Sequence, residues 1–233
     1  MNFDIKSAGI EPITTFAVSA NFLPSNLSDH FERLQSAVHF LNGRLPWENF
    51  DDFSNDIQAQ LALLSSEETH HQALRIHLQP ASNSQKYVPR FEFRPVEEKT
   101  LSPQKLKLVT YERPLANYKY SDYSIEEALL KQAKDEGFDD ILRATHEGLI
   151  SEGRVANVFM RLSSGEWVTP AAEESCCLAG TTRKSLLTKH PEIKQLLCPT
   201  EWLFSGNIEQ LFLCNALYPY MPVSQIHSDT QSV

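Results

Sequence analysis

Strand-like and helix-like segments alternate through both halves of this chain, and that order constrains the fold more than any other feature. Apolar residues at helical spacing predict helices at Ser28 to about Leu41, about Asn49 to Leu64 and Ser124 to Glu136, with Ser28 and Ser124 as N-caps and Gly137 as a stop. Runs of β-branched and apolar residues predict strands at 13–20, 73–78, 91–94, 106–110, 140–144, 155–162, 167–170 and 210–215, and residues 180–189 predict a further helix. The alternation indicates an α+β or mixed α/β protein.

The length of 233 residues is enough for two modest packed units. Pro114 and Asn117 follow a strand-like run and predict a bend rather than a regular element. We therefore expect a small N-terminal α+β domain at 1–110, an interdomain linker at 111–118 and a larger C-terminal domain at 119–233.

The charge pattern argues against two classes of partner. Lys and Arg number 21 against 30 Asp and Glu, a net charge of −9, and no basic run stands apart from acidic neighbours, so we expect no nucleic-acid partner. No apolar run approaches the roughly 18 to 20 residues that span a bilayer. The start MNFDIKSAGI lacks the apolar core of a secretion signal. We expect a cytoplasmic protein with no membrane contact.

The cysteines and histidines do not form a metal-binding pattern. Cys176, Cys177, Cys198 and Cys214 include no CxxC pair and are predicted to be buried, reduced and apolar in character. His70 and His71 stand beside acidic residues, but no second pair lies at ligand spacing. We expect no metal site.

Two residues are candidates for chemistry. Lys119 lies between Tyr118 and Tyr120 in the predicted bend, where burial would make its amine a nucleophile; alternatively it is a surface lysine. Glu152 lies in a turn bracketed by glycines, where it either accepts a hydrogen bond from a protonated ring nitrogen or is simply solvated.

Two further candidates suit an anion. Gly180, Thr181 and Thr182 open the predicted fourth helix and offer backbone and hydroxyl donors. Arg183 and Lys184 have the wrong sign for a helix start, and a bound anion would relieve that conflict; the alternative is an ordinary threonine cap. Arg33 borders the apolar face of the first helix, where it either reaches water or holds a phosphate.

In this order the residues resemble the fold type IV pyridoxal-phosphate enzymes, which include branched-chain aminotransferases, D-amino-acid aminotransferases and aminodeoxychorismate lyases. The matches are H-x-x-R-L at His30, Arg33 and Leu34, the family lysine at Lys119, the family glutamate at Glu152, N-x-F at Asn157 and Phe159, TP at Thr169 and Pro170, and G-[IVT]-T-R at 180–183. The run CNALYPYMPV (214–223) is similar to the lyase branch.

The resemblance implies a two-domain fold type IV architecture, like that of D-amino-acid aminotransferases, a homodimer and pyridoxal 5'-phosphate as cofactor. Lys119 would be the Schiff-base lysine and the base that moves a proton, and Glu152 would keep the ring nitrogen protonated. The other implied cofactor residues are Arg33, Gly180, Thr181 and Thr182 at the phosphate and Asn215 and Ala216 at the pocket closure. The implied substrate residues are Thr14, Thr15 and Tyr118.

The resemblance leaves the reaction open. The C-terminal run favours a lyase that converts 4-amino-4-deoxychorismate into 4-aminobenzoate, a folate precursor, and pyruvate. The alternatives are an aminotransferase acting on D- or branched-chain amino acids and a catalytically idle relative. Two departures affect the substrate region: EPITTF (11–16) keeps only the threonine pair of the family's N-terminal strand, and a glycine-rich continuation after Arg75 is absent. Cofactor binding is therefore better supported than substrate identity.

Overall fold

The computed structural model describes residues 10–19, 22–63, 72–82, 84–96 and 102–228. Contacts between Cα atoms divide them into two compact units. The first holds the described residues before 97 together with Tyr118–Asp122, and the second holds 102–117 and 123–228. The predicted ends at Ala20 and Leu64, and also His70 and His71, lie outside the described residues. Within the described residues, no helix is long and apolar enough to span a membrane.

The first unit is a three-stranded antiparallel sheet with two helices. Its strands β1 (Ile13–Val18), β2 (Gln72–Pro80) and β3 (Tyr87–Pro95) lie in the order β1-β2-β3. Its helices are α1 (Leu27–Phe40) and α2 (Phe50–Leu61). Apolar residues from all these elements except β3 are fully or almost fully buried, among them Phe16, Leu34, Phe53, Ile57, Leu74 and Ile76. The threonine pair of β1 therefore sits on a strand with a well-packed core.

The second unit is built on an eight-stranded sheet. Its strands are β4 (Gln104–Thr110), β5 (Asp140–Ala144), β6 (Ile150–Gly153), β7 (Asn157–Leu162), β8 (Trp167–Pro170), β9 (Lys194–Leu196), β10 (Ile208–Cys214) and β11 (Met221–His227). Its helices are α3 (Ser124–Asp135), α4 (Thr181–Lys189) and the 3-10 turn Thr200–Leu203. The strand order is β6-β5-β4-β11-β10-β7-β8-β9, with parallel pairs at β11/β4, β4/β5 and β8/β9. This mixture confirms the predicted α+β or mixed α/β class.

All eight predicted strands are present, but both predicted serine N-caps are wrong. Helix α1 begins at Leu27, because a turn in which the Leu27 N–H donates to the Pro24 carbonyl (3.0 Å) starts the helix before Ser28. Helix α3 has Ser124 as its first residue, since the Tyr123 carbonyl already accepts the Glu127 N–H (2.8 Å). Gly137 has φ +90° and ends α3 as predicted.

Strands β6, β9 and β11 were not predicted, and β6 changes the setting of Glu152. The turn is shorter than expected: it closes with the Gly148 N–H on the Thr145 carbonyl (3.1 Å), with Gly148 at φ +76°. Residues from Ile150 onward then return as a buried strand against β5. The prediction that Glu152 lies in a turn is wrong, since it lies on a strand.

The division into two units differs from the predicted domains at two places, β4 and Lys119. Strand β4 lies within the predicted N-terminal domain, yet it pairs in parallel with β5 and β11 and so belongs to the second unit. Lys119 lies at the start of the predicted C-terminal domain, yet its carbonyl accepts the N–H of Ile13 (2.9 Å), which places it in the first unit. Pairing between residues distant in sequence produces this division.

Candidate functional site

Glu152, on β6, carries a buried carboxylate that is held from both sides. Its side chain is 7% exposed. Arg143 Nη2 donates to Oε1 at 2.5 Å, and Asn157 Nδ2 donates to Oε2 at 3.1 Å. Arg143 comes from β5, which pairs antiparallel with β6, and Asn157 is the first residue of β7. Two donors, one of them charged, stabilise the ionised carboxylate and fix its orientation.

Asn157 also connects Glu152 to the loop before α4. Its Nδ2 donates to the Leu178 carbonyl at 2.7 Å. A Cβ atom added at Gly180 would lie only 2.2 Å from Asn157 Oδ1, far inside contact distance. Glycine at 180 is therefore required for this approach, and it brings the start of α4 against the amide that supports Glu152.

The start of α4 is suited to an anion. Gly180 is the extended residue before the helix, and the first turn contains no acidic side chain that would offset the positive end of the helix dipole. Thr181 is buried and Thr182 is half-buried. The predicted helix start is confirmed, and it places Gly180, Thr181 and Thr182 together at the end of a helix that favours negative charge.

Arg183 has a different role from the one its motif suggests. It is 4% exposed, and its Nη2 donates to the Pro170 carbonyl and to Gln195 Oε1, both at 2.8 Å. Burial lowers the pKa of the Arg183 guanidinium from its ordinary value. These contacts attach α4 to β8 and β9, so Arg183 supports the helix start.

Asn215 and Ala216 lie in the turn after β10. The Leu217 and Tyr218 N–H groups both donate to Asn215 Oδ1 at 2.9 Å. The preceding residue, Cys214, pairs with Asn157 across the antiparallel β10 and β7 strands. The turn therefore emerges at the same end of the sheet as Asn157.

The buried thiols around Glu152 are poor nucleophiles. Burial raises the pKa of Cys177, and it raises the pKa of Cys214 to about 12; the negative charge of Glu152 adds to both shifts. The prediction of buried cysteines is confirmed for Cys177, Cys198 and Cys214, whereas Cys176 is half-buried. Cys176 differs because its backbone has φ +50°, in an irregular segment. A neutral thiol is a weak nucleophile, so Glu152 has no reactive sulfur beside it.

The first unit contains a second cluster, made by β1 and α1. Thr14 Oγ1 lies 2.7 Å from His30 Nδ1, and Arg33 Nη2 lies 2.5 Å from Thr14 Oγ1 and 3.3 Å from His30 Nδ1. Arginine only donates, so both Nδ1 and Oγ1 accept from it, and the Thr14 hydroxyl donates to Nδ1. Burial lowers the pKa of His30 well below its usual range, and the charges of Arg33 and Lys119 add to this. His30 is a neutral imidazole that orients Thr14 and Arg33.

Lys119 is half-buried beside the start of β1, where its backbone is bonded to Ile13. Since Ile13 precedes Thr14, this bond puts the Lys119 backbone beside the strand that carries Thr14, and the charge of Lys119 adds to the lowering of the His30 pKa. The preceding Tyr118 stacks on Phe40, with ring centroids 4.4 Å apart. The first unit thus brings together Lys119, Arg33 and Thr14.

The two predicted substrate threonines point to opposite faces of the sheet. Thr14 faces α1, as its bond to His30 shows. Thr15 pairs with Arg75 on β2, and Arg75 Nε donates to Thr15 Oγ1 at 3.3 Å. Side chains alternate along a strand, so neighbouring residues do not line one surface.

Three buried charged residues near Glu152 were not identified from the sequence. Arg143 is 1% exposed, and Glu126 and Arg113 are also buried. The available signal was an arginine inside the apolar run DILRA (140–144), where a charge must find a partner. Its partner was not identified because Glu152 was placed in a turn.

A family model described as amino-transferase class IV matches residues 13–226. No curated protein matches the sequence. Among solved structures, a proposed 4-amino-4-deoxychorismate lyase from Legionella pneumophila is 23% identical, with a TM-score of 0.82 over 97% of this chain and 87% of that chain. The PLP-bound form of a hypothetical aminotransferase from Mycobacterium tuberculosis is 15% identical, with a TM-score of 0.80 over 95% and 82% of the two chains.

A fold IV transaminase from Curtobacterium pusillum is 19% identical, with a TM-score of 0.79 over 94% of this chain and 78% of that chain. At these identities the solved structures show a common fold. The family model spans almost the whole chain, and it confirms the resemblance drawn from His30, Lys119 and Glu152. The chain belongs to the class IV aminotransferase family, whose members are pyridoxal-phosphate-dependent enzymes.

Proposed function

We propose that this protein binds pyridoxal 5'-phosphate and cleaves 4-amino-4-deoxychorismate into 4-aminobenzoate and pyruvate. The observation that carries the cofactor assignment is the buried Glu152 carboxylate, held by Arg143 and Asn157 with Gly180 packed on the same Asn157. A fixed, ionised carboxylate is the partner that a protonated pyridine nitrogen requires.

The other residues also fit this cofactor. The α4 start has no acidic residue in its first turn, so a phosphate at Gly180, Thr181 and Thr182 would complement the helix dipole. Arg33 and Lys119 are cations beside a neutral His30, a set that suits a dianionic phosphate and a reactive amine. When bound, the cofactor supplies an electron sink for the pair left on the substrate carbon after proton removal.

Each of the chain's own site residues has a separate proposed role in the reaction. The Lys119 amine would hold the cofactor covalently and, once the substrate amine has displaced it, would remove the proton from the substrate carbon that bears the amino group. His30 and Thr14 fix the Arg33 guanidinium, and Glu152 would hold the ring nitrogen in its protonated form. The electron pair left by that proton would break the bond between the ring and the enolpyruvyl oxygen; the enolpyruvate released would take up a proton to become pyruvate, and the product ring would become aromatic.

Two observations support the lyase in particular. The run CNALYPYMPV is similar to the lyase branch, and its Asn215 caps the turn that leaves the sheet beside Asn157. The fold is also similar to that of the proposed lyase from Legionella pneumophila.

A second candidate is an aminotransferase that acts on D- or branched-chain amino acids. It is favoured by the similar agreement of the fold with two proteins described as aminotransferases, whose TM-scores are 0.80 and 0.79 against 0.82 for the proposed lyase. In that reaction Lys119 would move a proton between the substrate carbon and the cofactor, with no loss of pyruvate.

The first experiment tests the cofactor. Purified protein loaded with pyridoxal phosphate is expected to show a visible absorbance band that disappears on borohydride reduction and is missing in Lys119→Ala. Lys131→Ala, an exposed lysine on α3, is the matched control and is expected to keep the band. Wild-type protein without the band would overturn the proposed function and support an idle relative.

The second experiment separates the reactions. The loaded enzyme is given 4-amino-4-deoxychorismate, and pyruvate is measured through NADH consumption by lactate dehydrogenase. Pyruvate formation supports the lyase. Absence of pyruvate, together with conversion of the cofactor to its amine form by D- or branched-chain amino acids, would establish the aminotransferase instead.

The proposal includes a homodimer, as the family resemblance implies, and a cytoplasmic location, as we expect from the sequence. Light scattering on the purified protein measures its mass in solution. A monomeric mass in the loaded, active enzyme would contradict this part of the proposal.

A further inference from the structure

A row of four buried charges of alternating sign ends at Glu152. Arg113 Nε lies 3.0 Å from Glu126 Oε1, Glu126 Oε1 lies 4.0 Å from Arg143 Nη1, and Arg143 Nη2 lies 2.5 Å from Glu152 Oε1. Their side chains are 4%, 2%, 1% and 7% exposed, in that order from Arg113. Two arginines and two glutamates give the row no net charge. We define Arg113, Glu126, Arg143 and Glu152 as the charge row.

Burying this row of charges costs desolvation free energy, so it is an inefficient way to stabilise the packing of α3, β5 and β6. Taking paired charges out of water often stabilises a protein no more than apolar side chains of similar size would. Arg143 comes from the middle of β5, next to the fully buried Leu142. We therefore look for a role of the row besides packing, and the row reaches the proposed cofactor residues through the bond from Arg143 to Glu152.

We propose that Arg143, which faces Glu126 at 4.0 Å, is a positioning residue that sets how tightly Glu152 and the cofactor's ring nitrogen share their proton. The inference rests on the proposed function, since it requires a cofactor at Glu152. The Arg143 cation competes for the Glu152 charge and so weakens the hold on that proton. Glu126 acts one step further away by offsetting the charge of Arg143, and Arg113 in turn offsets the charge of Glu126.

Several groups face the row from neighbouring elements, and among them the Tyr123 ring centroid lies 4.3 Å from Arg113 Cζ and the Tyr111 ring centroid 5.9 Å from Arg143 Cζ. Electrostatic contacts with Glu152 come from Cys177 before α4, Arg183 on α4 and Cys214 on β10. Burial raises the pKa of Cys176, the charges of Glu112 and Glu147 add to the rise, and the charge of Arg143 opposes it. Burial raises the pKa of both Cys177 and Cys214, so these thiols stay neutral. The charges nearest to Glu152 in this set are thus Arg143 and Arg183, of which Arg183 is bonded to Pro170 and Gln195.

The charge row predicts opposite effects for two variants. Arg143→Met removes a cation in contact with Glu152, so the ring nitrogen is expected to lose its proton about 1 to 3 pH units higher than in the wild type. Glu126→Gln removes an anion that offsets Arg143, so the proton is expected to be lost at lower pH. The Glu126→Gln shift is smaller because Glu126 acts through Arg143. A purely structural row would not move the two variants in opposite directions.

The experiment follows the ring nitrogen directly. Wild type and variants are loaded with pyridoxal phosphate labelled with ¹⁵N in the ring, and the ¹⁵N chemical shift is recorded against pH. Arg143→Lys keeps the charge and is expected to titrate near the wild type. Arg161→Met and Glu209→Gln break an exposed ion pair of 2.9 Å and serve as matched controls with no expected shift.

The outcomes separate this inference from the proposed function. Wild-type protein without a borohydride-sensitive band defeats the proposed function and the inference with it. A normal band with titrations that do not move, or that move in the same direction in Arg143→Met and Glu126→Gln, overturns the inference alone. If thermal melting of the cofactor-free protein shows that Arg143→Met does not fold, Glu126→Gln decides: a downward shift supports the inference, and no shift or an upward shift overturns it.

Discussion

Replacing Gly180 with alanine tests whether the loop before α4 and the support of Glu152 form one unit. The added Cβ would lie 2.2 Å from Asn157 Oδ1, whereas ordinary contact begins near 3.4 Å, so one group must move by about 1.2 Å. Asn157 holds two hydrogen bonds there, to the Glu152 carboxylate at 3.1 Å and to the Leu178 carbonyl at 2.7 Å. A shift of that size breaks at least one of them.

The magnitude follows from those two bonds. A hydrogen bond to a charged group contributes about 1.5 to 3 kcal/mol, and an ordinary one contributes about 0.5 to 1.5 kcal/mol. We expect Gly180→Ala to lower the free energy of unfolding by about 2 to 4 kcal/mol. Affinity for pyridoxal phosphate is expected to fall as well, since Glu152 loses its neutral donor and the helix start is displaced.

The assay is denaturant unfolding of the cofactor-free protein, followed by circular dichroism, in a double-mutant cycle with Asn157→Ala. Because the clash is with the Asn157 side chain, Gly180→Ala is expected to destabilise the protein little further once that side chain is gone. Gly165→Ala is the control: it has φ +88° and open space, so it measures backbone strain without a clash and is expected to destabilise the Asn157→Ala background by its full amount.

Two results would refute the reasoning. One is a Gly180→Ala protein within about 0.5 kcal/mol of the wild type, a change typical of an unremarkable surface substitution. The other is additivity of Gly180→Ala and Asn157→Ala, because it would mean that the two positions do not interact.

Three further predictions test other parts of the structure. Arg183→Met is expected to weaken pyridoxal-phosphate binding measured by absorbance titration and to destabilise the protein by about 2 to 4 kcal/mol, since it removes two bonds of a buried cation; unchanged affinity would contradict its support of the helix start. Burial places the pKa of folded His30 below its unfolded value of about 6.5, so the stability from neutral His30 is present above pH 6.5 and falls by about 1.4 kcal/mol per pH unit below it, until the folded pKa is reached. Unfolding measured at pH 7.5 and 5.5 is expected to show a weaker pH dependence in His30→Gln, and an equal dependence in both proteins would count against this. A thiol reagent is expected to modify Cys176 in the native protein but the three buried cysteines only after unfolding, and Cys176→Ser is expected to remove the native reaction; native modification of Cys214 would contradict its burial.

Local pattern was sufficient to predict most of the secondary structure. Helix α2 illustrates this: it was predicted from about Asn49 and begins at Phe50, where Asn49 Oδ1 accepts the Asp52 N–H at 3.0 Å. The eight predicted strands are likewise present because each is a run of apolar or β-branched residues. Strand β6 was missed because it has only four residues, Ile150–Gly153, too few to show a period of two.

What local pattern does not determine is pairing across the chain. Strand β4 lies in parallel between β5 and β11, and β11 is more than 100 residues away in sequence. The same limit applies to the site. Glu152 and the start of α4 were identifiable as motif positions, but the arginine that contacts Glu152 was not, because its position depends on how β5 pairs with β6.

The two clusters differ in electrostatic balance, and that difference bears on the cofactor. In the first unit, Arg33 and Lys119 are positively charged. His30 beside them stays neutral because its pKa is lowered, so the cluster carries two positive charges and not three. In the second unit, Glu152 is matched by Arg143, and the charge row as a whole is neutral. A cation-rich cluster suits a phosphate and an amine-bound carbonyl, whereas a carboxylate already shared with an arginine suits a ring nitrogen whose proton must be held but not too tightly. Removing one positive charge from each cluster should therefore change a different property. Arg33→Met is expected to weaken phosphate binding. Arg143→Met is expected to raise the pH at which the ring nitrogen loses its proton.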